Sequence, residues 1–282
     1  LSGKKGERMM EGRCAPLTKT ALLAGDGLLP VAIAQSLASR GTPPTVIALG
    51  NTNPLLQAVA ERVLPVSQIS MSGILHLIET EGCKQVILAG TVPKRWIFGG
   101  GPVDPETLAW IRSLPSRDDH SLLGSIVSFF QSRGLEVVPY CLLIPEAIAP
   151  EGTIAGREPT EEEREEIRFG IGIARRLVPL SFGQAVAVRN GAVVAVEAME
   201  GTDEMIRRAG RIFPGGTVVK MMRPDQDERF DVPTVGPQTL ECMAQAGLGC
   251  LAVEAGRTVI LDRQRFGELA KEYSISVTGF LP

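Results

Sequence analysis

Short apolar runs alternate with stretches of helical period along the first half of the chain. Residues 20–24, 45–49 and 85–89 are apolar after their first residue, and apolar positions recur at helical spacing over 29–39, around 55–63 and over 73–79. Residues 135–143 predict one more strand. Strands with apolar side chains on both faces, alternating with helices, are typical of a parallel sheet that helices cover on both sides. The pattern therefore predicts an α/β domain with a Rossmann-like open sheet over residues 18–149.

The second half of the chain opens with a different pattern. Residues 145–159 contain three prolines and two glycines without a sustained period, which is typical of a linker between domains. Thr160 and Glu163 match a capping box at the start of a helix, and Asn190-Gly191 between two apolar runs indicates a β-hairpin. We therefore expect a second domain, of the α+β class, over residues 150–282.

Residues 1–17, the apolar stretches and the cysteines indicate the cellular compartment of the protein. Residues 1–17 carry basic side chains but lack the apolar core of a secretory signal, and we expect them to form a disordered extension. No apolar stretch reaches the roughly 20 residues that a membrane-spanning helix needs. The five cysteines include no C-x-x-C pair, which disfavours a disulfide framework or a zinc site. These features predict a cytoplasmic protein.

Composition and charge narrow the classes of partner. The chain is 44% hydrophobic, as ordinary globular proteins are. Its 29 Lys and Arg residues against 32 Asp and Glu residues give a formal net charge of −3. Such a balance supplies no overall positive field for a polyanion. We therefore expect no nucleic-acid partner.

Glycine-containing turns follow two of the predicted strands, where open α/β sheets bind their ligands. The residues concerned are Gly25, Gly27, Leu29, Pro30, Gly90 and Thr91. Backbone N–H groups at the start of a helix favour a phosphate, so this edge suits a nucleotide. A dinucleotide fingerprint is disfavoured, because Pro30 stands where a third glycine would be needed. A tight turn that needs two glycines and binds nothing is the alternative.

Two charged segments carry the candidate chemistry. Residues 197–208 place two acids, a glycine turn and two arginines at a strand-to-helix corner, and plain helix capping is the alternative there. Residues 220–236 hold four carboxylates and three cations between a strand and a helix. Hydrolysis of a phosphoanhydride needs cations to neutralise the phosphates and carboxylates to orient water or hold Mg²⁺. A solvated acidic loop is the alternative for this second segment.

These segments together resemble one known family. Glu200-Gly201-Thr202-Asp203 is followed over residues 226–236 by Gln-Asp-x-Arg-x-Asp-x-Pro-Thr-x-Gly, with further matching blocks at 25–30, 183–186 and 253–256. The chain is similar in this respect, over residues 18–282, to the LpxI-type UDP-2,3-diacylglucosamine pyrophosphatases. The resemblance implies an enzyme of lipid A biosynthesis that yields UMP and 2,3-diacylglucosamine 1-phosphate (lipid X), with Mg²⁺, in a cleft between two domains.

The resemblance also implies roles for individual residues. Asp231 matches the essential catalytic carboxylate of the family, and we expect Asp231 with Asp225 or Asp227 to hold Mg²⁺ or orient water. Lys220 and Arg207 are expected to neutralise the diphosphate, and Thr202 and Asp203 to fix the sugar phosphate. The predicted catalytic residues are Asp231, Lys220 and Asp203. The predicted substrate-binding residues are Gly25, Gly27, Leu29, Pro30, Gly90, Thr91, Gln184, Glu200, Gly201, Thr202, Arg207 and Thr234.

Three positions depart from the family pattern. Asp26 puts a negative charge near the expected phosphates, Arg223 stands where a lysine is expected, and Ser181 where an aspartate is common.

The substrate implies an apolar groove for its acyl chains, expected beside the second domain's sheet, and transient contact with the inner membrane surface. A homodimer is a further expectation. A non-catalytic nucleotide or nucleotide-sugar binding module, or a nucleotide-sugar transferase, is the alternative function.

Overall fold

The protein is described by a computed structural model over residues 18–50, 53–93, 95–96, 100–116, 119–224, 226–227 and 229–282. The expected extension at residues 1–17 and the predicted metal ligand Asp225 lie outside the described residues.

The N-terminal domain is built on a parallel sheet. Its strands are β1 (Thr20–Ala24), β2 (Thr45–Leu49), β3 (Arg62–Val66), β4 (Gln85–Ala89) and β5 (Glu136–Val137), in the spatial order β3-β2-β1-β4-β5. The helices are α1 (Leu29–Ser39), α2 (Leu56–Val59), α3 (Met71–Thr80), α4 (Pro105–Ser113) and α5 (Asp119–Gln131). The Rossmann-like open sheet expected from the apolar pattern is confirmed.

Both faces of this sheet are buried, as the apolar strands predict. Along β1, Leu22 and Ala24 pack into one hydrophobic cluster, and Ala21 and Leu23 pack into another on the opposite face. Alternate residues of a strand point to opposite sides of the sheet. A run that is apolar at every position therefore fits this sheet and would not suit a half-exposed one.

Three elements of the N-terminal domain differ from the sequence-based expectations. The expected helical stretch around 55–63 is the short α2 followed by β3, an edge strand that contains Pro65, and α4 was not expected. The expected strand over 135–143 is only the two-residue β5, because Pro139 cannot donate to a strand ladder. A short 3₁₀ turn follows at Tyr140–Leu142.

The C-terminal domain has a mixed sheet. Its strands are β6 (Gly152–Ala155), β7 (Ala185–Arg189), β8 (Ala192–Val196), β9 (Thr217–Lys220), β11 (Cys250–Glu254) and β13 (Ser276–Phe280), in the order β6-β13-β11-β9-β7-β8. The central β13, β11 and β9 are parallel, and antiparallel strands flank them. A separate parallel pair joins β10 (Thr234–Val235) and β12 (Val259–Ile260), and the helices are α6 (Glu161–Leu177), α7 (Thr202–Ile212), α8 (Pro237–Ala246) and α9 (Arg263–Glu272).

Local signals in this half are reproduced, with one correction. Thr160 and Glu163 form the capping box of α6, and Asn190 and Gly191 both adopt positive φ in the β7–β8 turn. The prediction that residues 145–159 are only a linker is wrong for 152–155. These residues form β6, an antiparallel edge strand paired with β13.

One segment of the C-terminal domain packs into the N-terminal domain. The chain between β9 and β10 sends Phe230 into the cluster on one face of the first sheet, and Met222 and Val232 into the cluster on the other face. The residue between them, Asp231, is thereby placed at the carboxyl edge of the first sheet. This packing joins the two domains around the site described next.

Candidate active site between the two domains

A cavity of about 390 Å³ lies where the carboxyl edge of the first sheet meets the second domain. The N-terminal domain contributes residues 26–29 after β1 and 88–91 around the end of β4. The C-terminal domain contributes residues 181–184 and 230–234, together with Glu197, Lys220 and Arg223. The expected cleft between the domains is therefore present, and both domains build its walls.

The glycines at this edge allow two strand ends to approach each other. Gly25 N–H donates to the Ala89 carbonyl at 2.9 Å, and Asp26 and Thr91 exchange two backbone hydrogen bonds of 2.9 Å each. A Cβ added to Gly25 would lie 2.5 Å from the Thr91 carbonyl oxygen. Gly25 is thus required by backbone contact with the next strand end.

The remaining predicted residues of this turn take different positions. Gly27 has φ of 103° and lines the cavity, as do Leu29, Gly90 and Thr91. Pro30 is buried in the first turn of α1, where its fixed φ suits a helix start. No side chain caps this end of α1, and Leu28 and Leu29 at its start line the cavity.

Asp26 has an unusual environment in the same wall. Its Oδ1 is buried and accepts no hydrogen bond from the described residues. A buried carboxylate oxygen is stable only when a donor or a cation satisfies it. Asp26 therefore carries an unsatisfied acceptor within the wall of the cavity.

Asp231 lines the cavity with its carboxylate held in place. Oδ2 of Asp231 accepts from Nε2 of Gln226 at 2.9 Å and from Nε2 of Gln184 at 3.4 Å. The backbone of Asp231 has φ of 55°, a conformation that aspartate tolerates better than most residues. Predicted as the catalytic carboxylate, it is half-buried and lines the cavity.

The two neighbours of Asp231 fix its position. Phe230 is 1% exposed, and its ring lies 5.9 Å from that of His120. Val232 donates its N–H to the Tyr140 hydroxyl oxygen at 3.0 Å. Burial raises the pKa of Tyr140 well above its ordinary value, so its phenol stays neutral at physiological pH. Asp231 therefore sits on a short segment that is bound on both sides to the N-terminal domain.

A second carboxylate, Glu197, lines the cavity and was not among the predicted site residues. Its oxygens accept from the Gln184 N–H at 3.0 Å and from the Thr202 hydroxyl at 2.9 Å. The sequence shows two acids in this corner, Glu197 and Glu200, and only the fold distinguishes them. Glu200 instead pairs with Arg208 at 2.5 Å on the outside.

Lys220 ends β9 and reaches the cavity. It is 7% exposed, and its Nζ donates to the Thr202 hydroxyl at 2.9 Å and to the Thr234 carbonyl at 3.0 Å. Thr202 thus lies behind Lys220 and Glu197, in contact with both. Asp203 is next to it, and burial raises the pKa of Asp203, an effect that the charges of Lys220 and Arg207 partly offset.

Arg223 is a further cation that the predicted site left out. It lines the cavity, and its guanidinium donates to the Ser181 hydroxyl. Its backbone N–H donates to Oε1 of Gln226 at 3.1 Å, which links Arg223 to the residue that holds Asp231. The two departures from the family pattern at 181 and 223 are therefore direct partners.

Several predicted residues lie away from the cavity lining. Arg207 binds Glu204 at 2.6 Å and the Cys242 sulfur at 3.0 Å. Asp227 holds Arg229, with 2.9 Å between Oδ1 and Nε. Arg229 is also the main reason that the pKa of Asp227 is lowered.

Of the three predicted metal ligands, Asp231 lines the cavity, Asp227 is committed to Arg229, and Asp225 is not described. Within the described ranges, no three His, Cys, Asp or Glu side chains are grouped to hold a metal ion.

Family models account for nearly all of the described chain. The model of the LpxI N-terminal domain matches residues 19–147, and that of the LpxI C-terminal domain matches residues 150–278. The chain belongs to the LpxI family. A curated relative, UDP-2,3-diacylglucosamine pyrophosphatase LpxI of Caulobacter vibrioides, is 30% identical over 279 residues, which is 94% of this chain and 99% of the relative.

Two solved structures show weak similarity to this LpxI chain. A GalE-like L-threonine dehydrogenase from Cupriavidus necator matches with a TM-score of 0.27 and 13% identity, over 58% of this chain and 52% of the other. CobK precorrin-6A reductase matches with a TM-score of 0.30 and 11% identity, over 94% of this chain and 90% of the other.

Across the described residues, no helix combines the length and the apolar character needed to span a membrane.

Proposed function

We propose that this protein hydrolyses the pyrophosphate bond of UDP-2,3-diacylglucosamine, giving UMP and 2,3-diacylglucosamine 1-phosphate (lipid X) in lipid A biosynthesis. The observation that carries the proposal is the placement of Asp231 in the interdomain cavity, with its carboxylate fixed by two side-chain amides. The named activity of the Caulobacter relative, with similarity along almost its whole length, supports the same reaction.

The side chains of the cavity can neutralise the charge of the diphosphate and take a proton from the attacking water. Lys220 and Arg223 supply positive charge for the diphosphate, and donors placed in a partly buried site stabilise developing charge better than in water. Asp231 accepts a proton from the attacking water. The water oxygen bonds to one phosphorus, the bond from that phosphorus to the bridging oxygen breaks, and the bridging oxygen leaves on the other phosphate.

The proposal includes Mg²⁺, for which two carboxylates of the cavity are candidate ligands. Mg²⁺ commonly takes one or two protein carboxylates and completes its shell with water and substrate phosphates. Asp231 and Asp26 line the same cavity, and the buried Oδ1 of Asp26 lacks a donor among the described residues. These two carboxylates would hold the ion, which would supply charge neutralisation at the diphosphate. Through this ion, the negative charge of Asp26 would favour phosphate binding and would not oppose it.

Contact with the inner membrane surface is part of the proposal. Leu28 and Phe182 line the cavity from opposite domains and remain 38% and 40% exposed. Apolar side chains at a cavity mouth can enter the boundary between headgroups and acyl chains while a lipid is exchanged. Co-sedimentation with anionic lipid vesicles should therefore fall in a Leu28→Ser, Phe182→Ser double variant. Equal sedimentation of the variant and the parent would refute this contact.

The deciding experiment measures UMP release from UDP-2,3-diacylglucosamine, with Mg²⁺ and with EDTA, in the parent protein and in Asp231→Ala. We expect the variant to lose about 10²- to 10⁴-fold in kcat, the usual cost of removing a positioned acid or base. Glu241→Ala, which removes an exposed carboxylate on α8, is the control for expression and folding. Unchanged UMP release in Asp231→Ala would refute the assignment of this residue.

The same assay separates the alternatives. A nucleotide-sugar binding module would bind UDP in calorimetry without releasing UMP. A transferase would move the sugar to an acceptor and release UDP. Chromatography of the products distinguishes UMP from UDP, so each outcome selects one function.

A further inference from the structure

A turn after β11 contacts the backbone of the chain between β9 and β10, residues 221–233, which we call the active-site segment. β11 ends at Glu254, and Gly256 has φ of 76° in the turn that follows. The block at 253–256 matches the family pattern, but the reaction proposed above uses none of its residues. Neither Glu254 nor Arg257 is among the described residues that line the interdomain cavity. An effect of this turn on the reaction therefore passes through another residue.

Glu254 is a buried carboxylate with two partners. It is 0% exposed, and its Oε2 accepts the backbone N–H of Met222 at 2.8 Å. Its Oε1 accepts from Nη1 of Arg257 at 3.3 Å. A buried carboxylate is costly unless hydrogen bonds and a positive charge compensate it. Glu254 therefore holds Met222 and Arg257 in defined positions.

Arg257 extends this network to the next residue of the active-site segment. Its Nη2 donates to the backbone carbonyl of Arg223 at 3.1 Å, while its Nη1 binds Glu254. The planar guanidinium presents its donors in a rigid fork and can bind two acceptors at once. The N–H of Met222 and the carbonyl of Arg223 are thus both bound to one ion pair.

The side chain of Arg223 leaves the main chain between these two bound groups. Arg223 is 7% exposed, lines the cavity and donates to the Ser181 hydroxyl. A charged group binds its ligand best when its geometry is fixed before the ligand arrives. The backbone contacts of Glu254 and Arg257 fix the origin of the Arg223 side chain, and Ser181 holds its guanidinium.

The same turn also binds the chain that joins the two domains. The Gly256 N–H donates to the Ala149 carbonyl at 2.8 Å, and the Ala149 N–H donates to the Thr258 carbonyl at 2.8 Å. Ala149 is 2% exposed and lies between the residues that the two family models match. One turn therefore contacts both the active-site segment and the interdomain chain, which links the position of Arg223 to the start of the N-terminal domain's wall.

We infer that Glu254 and Arg257 are positioning residues, which hold Arg223 where it binds the diphosphate of the substrate. The inference rests on the proposed function, in which Arg223 supplies positive charge to the diphosphate. Arg223 meets the diphosphate both in the bound substrate and in the transition state. Weakening a contact that is made in both states raises KM and leaves kcat nearly unchanged.

A double-mutant cycle tests this inference. Arg257→Gln shortens the side chain and removes its charge, and we expect KM for UMP release to rise about fivefold, within the range for residues of one hydrogen-bonded network. In an Arg223→Gln background, the same change should alter KM by less than about twofold, because the group that Arg257 positions is gone. Arg265→Gln, at an exposed site on α9, is the matched control and should keep the KM of the parent.

Equal rises in KM in both backgrounds would overturn the inference, because Arg257 would then act independently of Arg223. An unchanged KM in Arg257→Gln would overturn it as well. If Arg257→Gln does not fold, Arg257→Lys takes its place in the cycle and the same outcomes decide. Lysine keeps a positive charge beside Glu254 but lacks the rigid fork that reaches two acceptors.

Calorimetry with UDP separates this inference from the proposed function. UMP release by the parent protein tests the reaction, and dissociation constants for UDP in the four proteins of the cycle test the positioning without turnover. Coupling of the two changes in a protein that releases no UMP would support the positioning and refute the hydrolysis. UMP release by the parent, with the two changes acting independently, would refute the positioning alone. A parent protein that neither binds UDP nor releases UMP would refute both.

Discussion

The side-chain amide of Gln226 donates to Oδ2 of Asp231 at 2.9 Å, while its carbonyl oxygen accepts the Arg223 N–H at 3.1 Å. Gln226 is 7% exposed, so it makes both bonds away from bulk water. A hydrogen bond to an ionised carboxylate is stronger than one between neutral groups. Gln226 therefore orients Asp231 and couples it to the backbone at Arg223.

The first prediction concerns this positioning. Gln226→Leu keeps the size of the side chain but removes its donor, and kcat for UMP release should fall about tenfold, since hydrogen bonds to charged groups contribute about 1.5–3 kcal/mol. KM should change less than kcat, because the side chains of Lys220 and Arg223 remain in the cavity and Arg223 loses only the acceptor of its backbone N–H. Steady-state kinetics measures both, and Gln264→Leu, at an exposed site on α9, is the control. A changed KM at constant kcat would assign Gln226 to binding.

The second prediction concerns the packing between domains. Phe230→Ala should lower the free energy of unfolding by about 3–5 kcal/mol, the usual range for a buried phenylalanine, and should also lower kcat by displacing Asp231. Urea denaturation and UMP release measure the two effects. Phe213 is 47% exposed, and Phe213→Ala should change neither. A stable Phe230→Ala variant would show that the segment is not held by this ring.

The third prediction concerns the pair of residues that departs from the family pattern. Ser181→Asp should place a carboxylate against Arg223 and draw its positive charge away from the diphosphate. We expect KM for the substrate to rise about tenfold, comparable to the loss of one charged hydrogen bond. Ser72→Asp, at an exposed site on α3, controls for net charge. An unchanged KM would remove Arg223 from substrate binding.

The fourth prediction concerns stability and pH at the start of α6. Burial would raise the pKa of Glu163, but hydrogen bonds from Arg157 and the Thr160 backbone outweigh it and hold the pKa below its ordinary value of 4.5. Stabilisation by a carboxylate with a lowered folded-state pKa is present above the unfolded value and is lost as pH falls through the folded value.

Glu163→Gln should therefore destabilise the protein by about 1 kcal/mol at pH 7, a figure reduced because Arg157 is 38% exposed. Urea unfolding of variant and parent should converge as the pH falls below 4.5. Glu162→Gln, in the same turn but exposed, should behave as the parent does. A difference that persists at acid pH would show that charge is not its cause.

The sequence predicted those strands and turns that depend only on residues close together in the chain. The apolar runs of β1, β2 and β4 are buried on both faces, and the Asn190-Gly191 turn needs only its own two residues. The edge strands β3 and β6 were missed because an edge strand pairs on one side and is partly exposed, so its apolar signal is weak. β6 also follows a proline-rich stretch that resembles a linker.

The candidate site likewise has some features that the sequence determines and others that depend on the fold. The sequence by itself determined the residue types, a motif that contains Asp231 among cations, and the family pattern that singles it out. Only the tertiary structure decided that Glu197 enters the cavity while Glu200 pairs outside, and that Phe230 and Val232 enter two clusters of the other domain. The physical reason is that burial and distance between residues far apart in the chain depend on how both domains pack, which no local pattern encodes.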